Sequence, residues 1–271
     1  MVVDGIAVLD EIEAYLDAAP RLAATAEPHG PLTLFVGVGG GPGFYARPML
    51  GHRGPISAAD VGAVRERQRA LHVPEAFEWV RELAPSMASA CQAAGLQVID
   101  HPLLRLGRLV PPEPPAGATT TVLTADSADT DLANALAVPP VAFGAADGSD
   151  ETPPTDDIAL DAIAGLRRRY AEGTLRTAVA RIDGTVVAVA SAIPVDGVAE
   201  VVAVATLPQA RRRGLASMVT ALAVEAAADL GASTIFLSAG DRGATRLYER
   251  LGFRRVATAS VAAPGASQAG Q

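Results

Sequence analysis

The clearest periodicity lies in the second half of the chain. Residues 119–125 read as a strand, Asp129 or Thr130 caps a helix running to residue 137, and 139–154 form a loop rich in Pro, Gly and Asp. Asp156 or Asp157 caps a second helix through residue 170. Residues 174–182 and 186–193 follow as strands joined across Asp183-Gly184, a dipeptide that suits a tight hairpin. The next strand carries Val201, Val202, Val204 and Thr206, and Pro208 ends it by withholding an N–H from the ladder. Leu215, Val219, Leu222, Ala226 and Leu230 then recur at three- and four-residue steps, which predicts a helix from near Arg213 with Gly231 just past its end. A strand over 234–237, a helix and a final strand to residue 262 complete the order β, α, α, β, β, β, α, β, α, β.

The first half is less regular. Ile6, Leu9, Ile12 or Glu13, and Leu16 mark an acidic amphipathic helix over 6–18. Residues 32–38 and 44–47 read as strands joined by the glycine-rich turn 37–43, which lacks the Lys-Ser/Thr of a phosphate-binding loop. Ser57 caps a helix through residue 69, and Pro74 opens another through 94, ending at Gly95. Glu75, Glu78 and Glu82 would share one solvated face of that helix, and 96–106 reads as a strand interrupted at Pro102. Residues 111–117, Pro-Pro-Glu-Pro-Pro-Ala-Gly, have the proline density of a semi-rigid spacer. The expected division is therefore an N-terminal α/β domain over 1–110, a linker over 111–117, a mixed and mostly antiparallel α/β (α+β) domain over 118–262, and a flexible tail over 263–271.

Composition narrows the partners. The chain has 271 residues, 49% apolar, with a formal net charge of −8, which argues against nucleic acid as the default partner. All 22 basic residues are arginine. No segment approaches ~18 consecutive apolar residues, and the acidic N-terminal stretch lacks the basic start of a secretory signal, so neither a membrane span nor export is expected. Cys91 stands alone, as in a reducing cytoplasm. His29, His52, His72 and His101 are too scattered for metal-ligand spacing, and no metal is expected. Trp79 reads as a packing residue.

The chemistry concentrates where the 199–206 strand turns into the following helix. The first N–H groups of a helix lack intrahelical partners and carry the positive end of its dipole, so this turn is an anion site. Gly214 and Ala216 leave room for phosphate to approach the backbone, and Arg211, Arg212 and Arg213 add positive charge. Here the sequence resembles the GNAT superfamily of acetyl-CoA-dependent N-acetyltransferases, whose Q/R-x-x-G-x-G/A signature is matched by Arg211-x-x-Gly214-x-Ala216. A second match follows in family order: Ala244-x-x-Leu247-Tyr248-x-x-Leu251-Gly252-Phe253 is similar to the family's A-x-x-L-Y-x-x-L-G-F segment.

The resemblance covers about residues 118–262. It implies a coenzyme A site comprising Val204, Thr206, Arg211, Arg212, Arg213, Gly214, Leu215, Ala216, Asp241 and Ala244. Asp241 stands where the family often has Asn; it suits a helix N-cap but cannot donate as an amide does. Glu200, eleven positions before Arg211, resembles a strand glutamate that acts as general base in one branch of the family; a solvated strand carboxylate is the alternative. Tyr248 falls at the position of the general acid that protonates the coenzyme A sulfur. It also belongs to the stripe Ala244, Leu247, Tyr248, Leu251, as a packed tyrosine would. The implied activity is acetyl transfer from acetyl-CoA to an amine-bearing acceptor. A coenzyme A-binding sensor that has lost transfer is the rival. The first half lacks both motifs, so it is expected to bind no coenzyme A, to be at most a degenerate GNAT-like half, and to shape the acceptor site or a homodimer interface.

Overall fold

The computed structural model describes residues 2–38, 45–144 and 158–265. In chain order the elements are α1 (Val2–Ala18), β1 (Ala24–His29), β2 (Leu32–Gly37), β3 (Ala46–Pro48), α2 (Ala58–Ala70), β4 (Phe77–Val80), α3 (Met87–Ala93) and β5 (Gln97–Leu106). The second half contributes β6 (Ala118–Val122), α4 (Asp129–Gly144), α5 (Leu160–Ala171), β7 (Arg176–Ile182), β8 (Thr185–Val195), β9 (Val198–Thr206), α6 (Leu215–Asp229), β10 (Thr234–Ser238), α7 (Arg242–Arg250) and β11 (Phe253–Ala263).

The chain forms two compact units, and neither is continuous in sequence. The first comprises residues 1–104, 238–242 and 255–271; the second comprises 105–237 and 243–254. The proline-rich stretch 111–117 thus falls within the span of the second unit.

In the first unit the strand order is β1-β2-β3-β4-β11-β5. β1, β2 and β3 pair antiparallel, while β3 and β4 are parallel and meet at Ala46 opposite Phe77. One face carries Leu34, Ala46, Phe77 and Trp79, packed with Val61 and Val64 of α2 and Met87 and Cys91 of α3. The strand that completes this sheet comes from the end of the chain. Residues 259–262 of β11 pair antiparallel with 80–77 of β4. A polar clamp holds them: Glu82 accepts from the Thr258 amide at 2.9 Å and its hydroxyl at 3.0 Å, and the Ser260 hydroxyl donates to Asp100 at 2.7 Å.

In the second unit the order is β10-β9-β8-β7-β6. The pairings β6–β7, β7–β8 and β8–β9 are antiparallel, whereas β9 and β10 are parallel. Helix α6 buries Leu215, Val219, Ala223, Val224 and Ala227. Two antiparallel pairings, a helix, then a parallel strand also describes β1-β2-β3-α2-β4 of the first unit. The first half thus repeats the β7-β8-β9-α6-β10 segment of the second without its motifs.

Three local expectations are corrected. Residues 74–94 are not one helix: Phe77–Val80 is a strand and only Met87–Ala93 is helical. Phe77 and Trp79 alternate into the core, and the partner that fixes them as strand lies in β11, beyond any local window. Glu75, Glu78 and Glu82 accordingly share no helical face. Glu75 pairs with Arg65 and Arg69, and Glu82 serves the clamp. Second, α4 continues through Pro139 and Pro140 to Gly144, where a loop was expected from 139. Each proline removes a backbone donor, but Ala137, Val138 and Ala142 are buried, and that packing carries the helix on. Third, α5 has Ala159 at its N-cap. Asp156 and Asp157, the turn 39–43 and residues 145–154 lie outside the described residues. The structure also runs β5 through Pro102 without a break, and Ser57 forms the expected cap as a full capping box with Asp60.

Candidate functional site

The site is built where β9 loses its parallel neighbour. β9 and β10 pair from Val198 opposite Thr234 to Glu200 opposite Phe236, and among the described residues the pairing stops there. On the other side, β9 stays with β8 but slips by one residue between Val189 and Ser191, and Ala203 adopts φ 51°. This is a bulge on β9, and bulges bend and twist the strand that carries them. The Leu207 amide donates to the Val187 carbonyl at 2.8 Å, so the Leu207 N–H points toward β8. Because successive N–H groups alternate in direction, those of Thr206 and Val204 point away from β8, to the side that β10 has left.

The turn after β9 uses two left-handed residues. Arg212 has φ 66° and Gly214, the N-cap of α6, has φ 79°. No side chain caps α6, and its first helical bond runs from the Met218 amide to the Gly214 carbonyl at 3.2 Å. The amides of Leu215, Ala216 and Ser217 therefore have no partner within the helix. They open on a cavity of about 650 Å³ that Val204, Thr206, Arg212 and Gly214 also line. The Thr206 hydroxyl is buried there with no hydrogen-bond partner. Arg246 and Arg250 of α7 complete a positively charged rim.

Of the predicted coenzyme A residues, the structure brings Val204, Thr206, Arg211, Arg212, Gly214, Leu215 and Ala216 to this cavity. Arg213 is exposed and, with Asp241 and Ala244, is not among the lining residues. Arg211 is turned inward: its Nε donates to the Thr206 carbonyl at 3.3 Å and its Nη2 to the Ala142 carbonyl at 2.6 Å. That caps an orphan carbonyl in the last turn of α4 and ties the helix to the end of β9. Glu200, half-buried, is the last β9 residue paired with β10, at the point where the two strands part, and does not line the cavity. Tyr248 is 7% exposed and packs edge-on against Phe253 at 6.0 Å between ring centroids; it too is outside the lining set.

Sequence reasoning missed Arg246 and Arg250. Their spacing of four on the helix carrying the Leu247-Tyr248 motif was the available signal. Ala142 and Phe143 were missed because the loop was expected to begin before them.

This geometry offers a row of strand N–H groups, a helix N-terminus and a cationic rim around one cavity. It fits an elongated donor with an anionic end. The acetyltransferase (GNAT) family profile matches residues 146–253. Those residues are a GNAT acetyltransferase domain. A GCN5-related N-acetyltransferase from Kribbella flavida is similar over 96% of this chain and 97% of its own, at 26% identity and a TM-score of 0.73. A GCN5-related N-acetyltransferase from Sphaerobacter thermophilus aligns over 87% of this chain and 82% of its own, at 15% identity and a TM-score of 0.56. A tandem GNAT protein from the clavulanic acid biosynthesis pathway aligns over 88% and 79%, at 15% identity and a TM-score of 0.50. The last two share the fold alone. No curated protein matches the sequence. The GNAT domain makes the protein an acyltransferase of the acetyl-transferring kind, in a family whose cosubstrate is acetyl-CoA.

Proposed function

We propose that the protein transfers an acetyl group from acetyl-CoA to a primary amine by direct attack, with residues 118–262 as the catalytic domain. The observation that carries this reading is the convergence of the outward Val204 and Thr206 amides with the uncapped start of α6 on one cavity. When bound, acetyl-CoA supplies a thioester whose acyl carbon is the electrophile. The α6 amides and Arg212 hold its diphosphate, and the Gly214 turn lets the phosphates reach the backbone. The β9 amides orient the pantetheine and acyl oxygens and donate to the negative charge that develops on the acyl oxygen. Glu200 takes a proton from the acceptor ammonium, directly or through a water, before the C–N bond forms, and the second N–H proton leaves to solvent as the tetrahedral intermediate collapses. Tyr248 donates its phenolic proton to sulfur as the C–S bond breaks. An acceptor amine with a lysine-like pKa of ~10.4 is mostly protonated at neutral pH, so a base is needed before attack.

In steady-state kinetics with an amine panel, Tyr248→Phe should lower kcat at least tenfold with little change in acetyl-CoA affinity. Glu200→Gln should lower kcat/KM for the amine and reduce its rise with pH. Unchanged turnover in both variants would remove them from the mechanism. A second reading, a coenzyme A-binding sensor, draws on the packing of Tyr248 against Phe253 outside the cavity lining. Saturable acetyl-CoA binding with no transfer to any amine would select it. The cytoplasm remains our proposed location, on the lone buried Cys91; among the described residues no helix is long and apolar enough to cross a membrane. Residues 1–110 are proposed to shape the acceptor site or a homodimer interface.

A further inference from the structure

The cover over one face of the second unit's sheet stops part-way along β8. On that face Val187 and Val189 are buried whereas Ser191 and Ile193 are half-buried; on the opposite face Ala188, Ala190 and Ala192 are all buried. Pairing with β9 sets Ser191 opposite Val202 and Ile193 opposite Glu200, and both of those are half-buried as well. Residues opposite one another across an antiparallel pair project on the same side of the sheet, so these four form one patch. Glu200, the proposed base, stands at one corner and the Ser191 hydroxyl at the corner diagonal to it, with Ile193 and Val202 as the aliphatic corners between. The cavity lining begins two residues beyond Val202, at Val204.

The Ser191 hydroxyl is held from behind. Its Oγ lies 2.8 Å from Oγ1 of Thr177, its cross-strand partner on β7, which is buried. The Tyr170 phenol lies against the same Thr177, but without the geometry of a hydrogen bond: its O–H is buried and unpartnered, on a residue only 4% exposed. A Thr-Ser pair across two strands needs no third hydroxyl. A buried phenol with an unused donor does need an outlet, and of the three hydroxyl-bearing residues only Ser191 is more than marginally exposed.

We propose that Ser191 is a specificity-determining residue, positioned by Thr177 and Tyr170, that selects acceptors carrying a hydroxyl or other neutral oxygen about five carbons from the amine. The selection rests on the acetyl-transfer reading with Glu200 as base. Diagonal residues on paired strands lie roughly 7–8 Å apart, a distance that an extended chain of about five carbons spans from nitrogen to oxygen. With the amine at Glu200, the chain lies over Ile193 and Val202 and its oxygen meets Ser191. In the loaded site Tyr170 donates to Thr177, Thr177 to Ser191, and the Ser191 O–H to the acceptor oxygen, so that each hydroxyl is satisfied by the next.

The test is steady-state acetyl transfer by the full chain to 5-amino-1-pentanol and to hexylamine, in which a methyl group replaces the hydroxyl. Wild type should favour the amino alcohol roughly tenfold in kcat/KM, mainly through KM, as one neutral hydrogen bond allows. In Ser191→Ala and in Tyr170→Phe, with circular dichroism and Tm checked against wild type, that ratio should fall toward one. Ser191→Thr, which keeps the hydroxyl, should retain it. A wild-type enzyme that does not distinguish the two acceptors, or a Ser191→Ala variant that distinguishes them as wild type does, would overturn the selection. Full selectivity in Tyr170→Phe alone would overturn the hydroxyl chain behind Ser191. Transfer to other primary amines but to neither of these would overturn the selection and leave acetyl transfer intact, whereas transfer to no amine at all would overturn the acetyl-transfer reading itself.

Discussion

Gly252 and Thr206 of the second unit carry opposite, testable signatures. Gly252 has φ 96°, and a Cβ placed there would overlap the carbonyl oxygen of Arg108, while the Gly252 carbonyl accepts from the Gly107 amide at 3.0 Å. Only glycine fits this close crossing of two backbones. Gly252→Ala should therefore destabilise the protein by about 3 kcal/mol or more, read as a loss of Tm in thermal unfolding. Thr206 gives the opposite signature. Its hydroxyl is buried without a partner, so the isosteric Thr206→Val should hold or raise stability, by up to about 1 kcal/mol. If the hydroxyl waits for the donor, the same change should raise KM for acetyl-CoA several-fold. Unfolding and kinetics on one preparation separate the two effects. Glu78 adds a pH signature. Burial raises its carboxyl from the ordinary 4.5 to about 7, against the opposing pull of Arg47. A raised folded pKa means its stabilising share is complete below pH 4.5 and lost as pH rises through about 7. Denaturant unfolding should show that decline, on the order of 3 kcal/mol across the window, and Glu78→Gln should flatten it.

Elements whose partners are close in sequence were legible before the structure, and those whose partners are distant were not. The 183–184 hairpin, the Ser57 cap, β9 and the body of α6 follow from local alternation, cap chemistry and turn residues. β4 was read as part of a helix because its deciding neighbour, β11, lies more than half the chain away. The end of α4 was misread because proline chemistry is local whereas the burial that overrides it is not. The candidate site shows the same split. Its anion-binding turn was visible from Gly214 and the arginines, since a helix start is a local event. The inward turn of Arg211 onto Ala142 was invisible, because it depends on where α4 ends. Arg211→Met should loosen that tie. Its expected mark is faster amide hydrogen exchange in the last turn of α4, with α6 unchanged.

On the scale of the molecule, the two units share a β-β-β-α-β segment, yet only the second carries the glycine-arginine turn and the Leu247-Tyr248 segment. Both units are sequence-discontinuous, and the first depends on residues 255–271. Deleting those residues should lower the stability of the first unit. Proteolysis should then cut first within residues 77–104, whereas the intact chain should resist. The clamp joins residues 176 positions apart at Thr258 and Glu82 and 160 apart at Ser260 and Asp100. Loops of that length close slowly and make for a late folding step.

The same strand has a bearing on how the protein is made. A chain grows from its N-terminus, so residues 1–104 leave the ribosome well before β11 exists. During that interval β4 lacks its antiparallel neighbour and presents Phe77 and Trp79 beside an open edge. At ~5–20 residues per second the wait lasts on the order of ten seconds or more, long enough for a chaperone to engage the nascent chain. The earlier-made unit is in this sense the last to be finished, because it closes only once β11 has emerged.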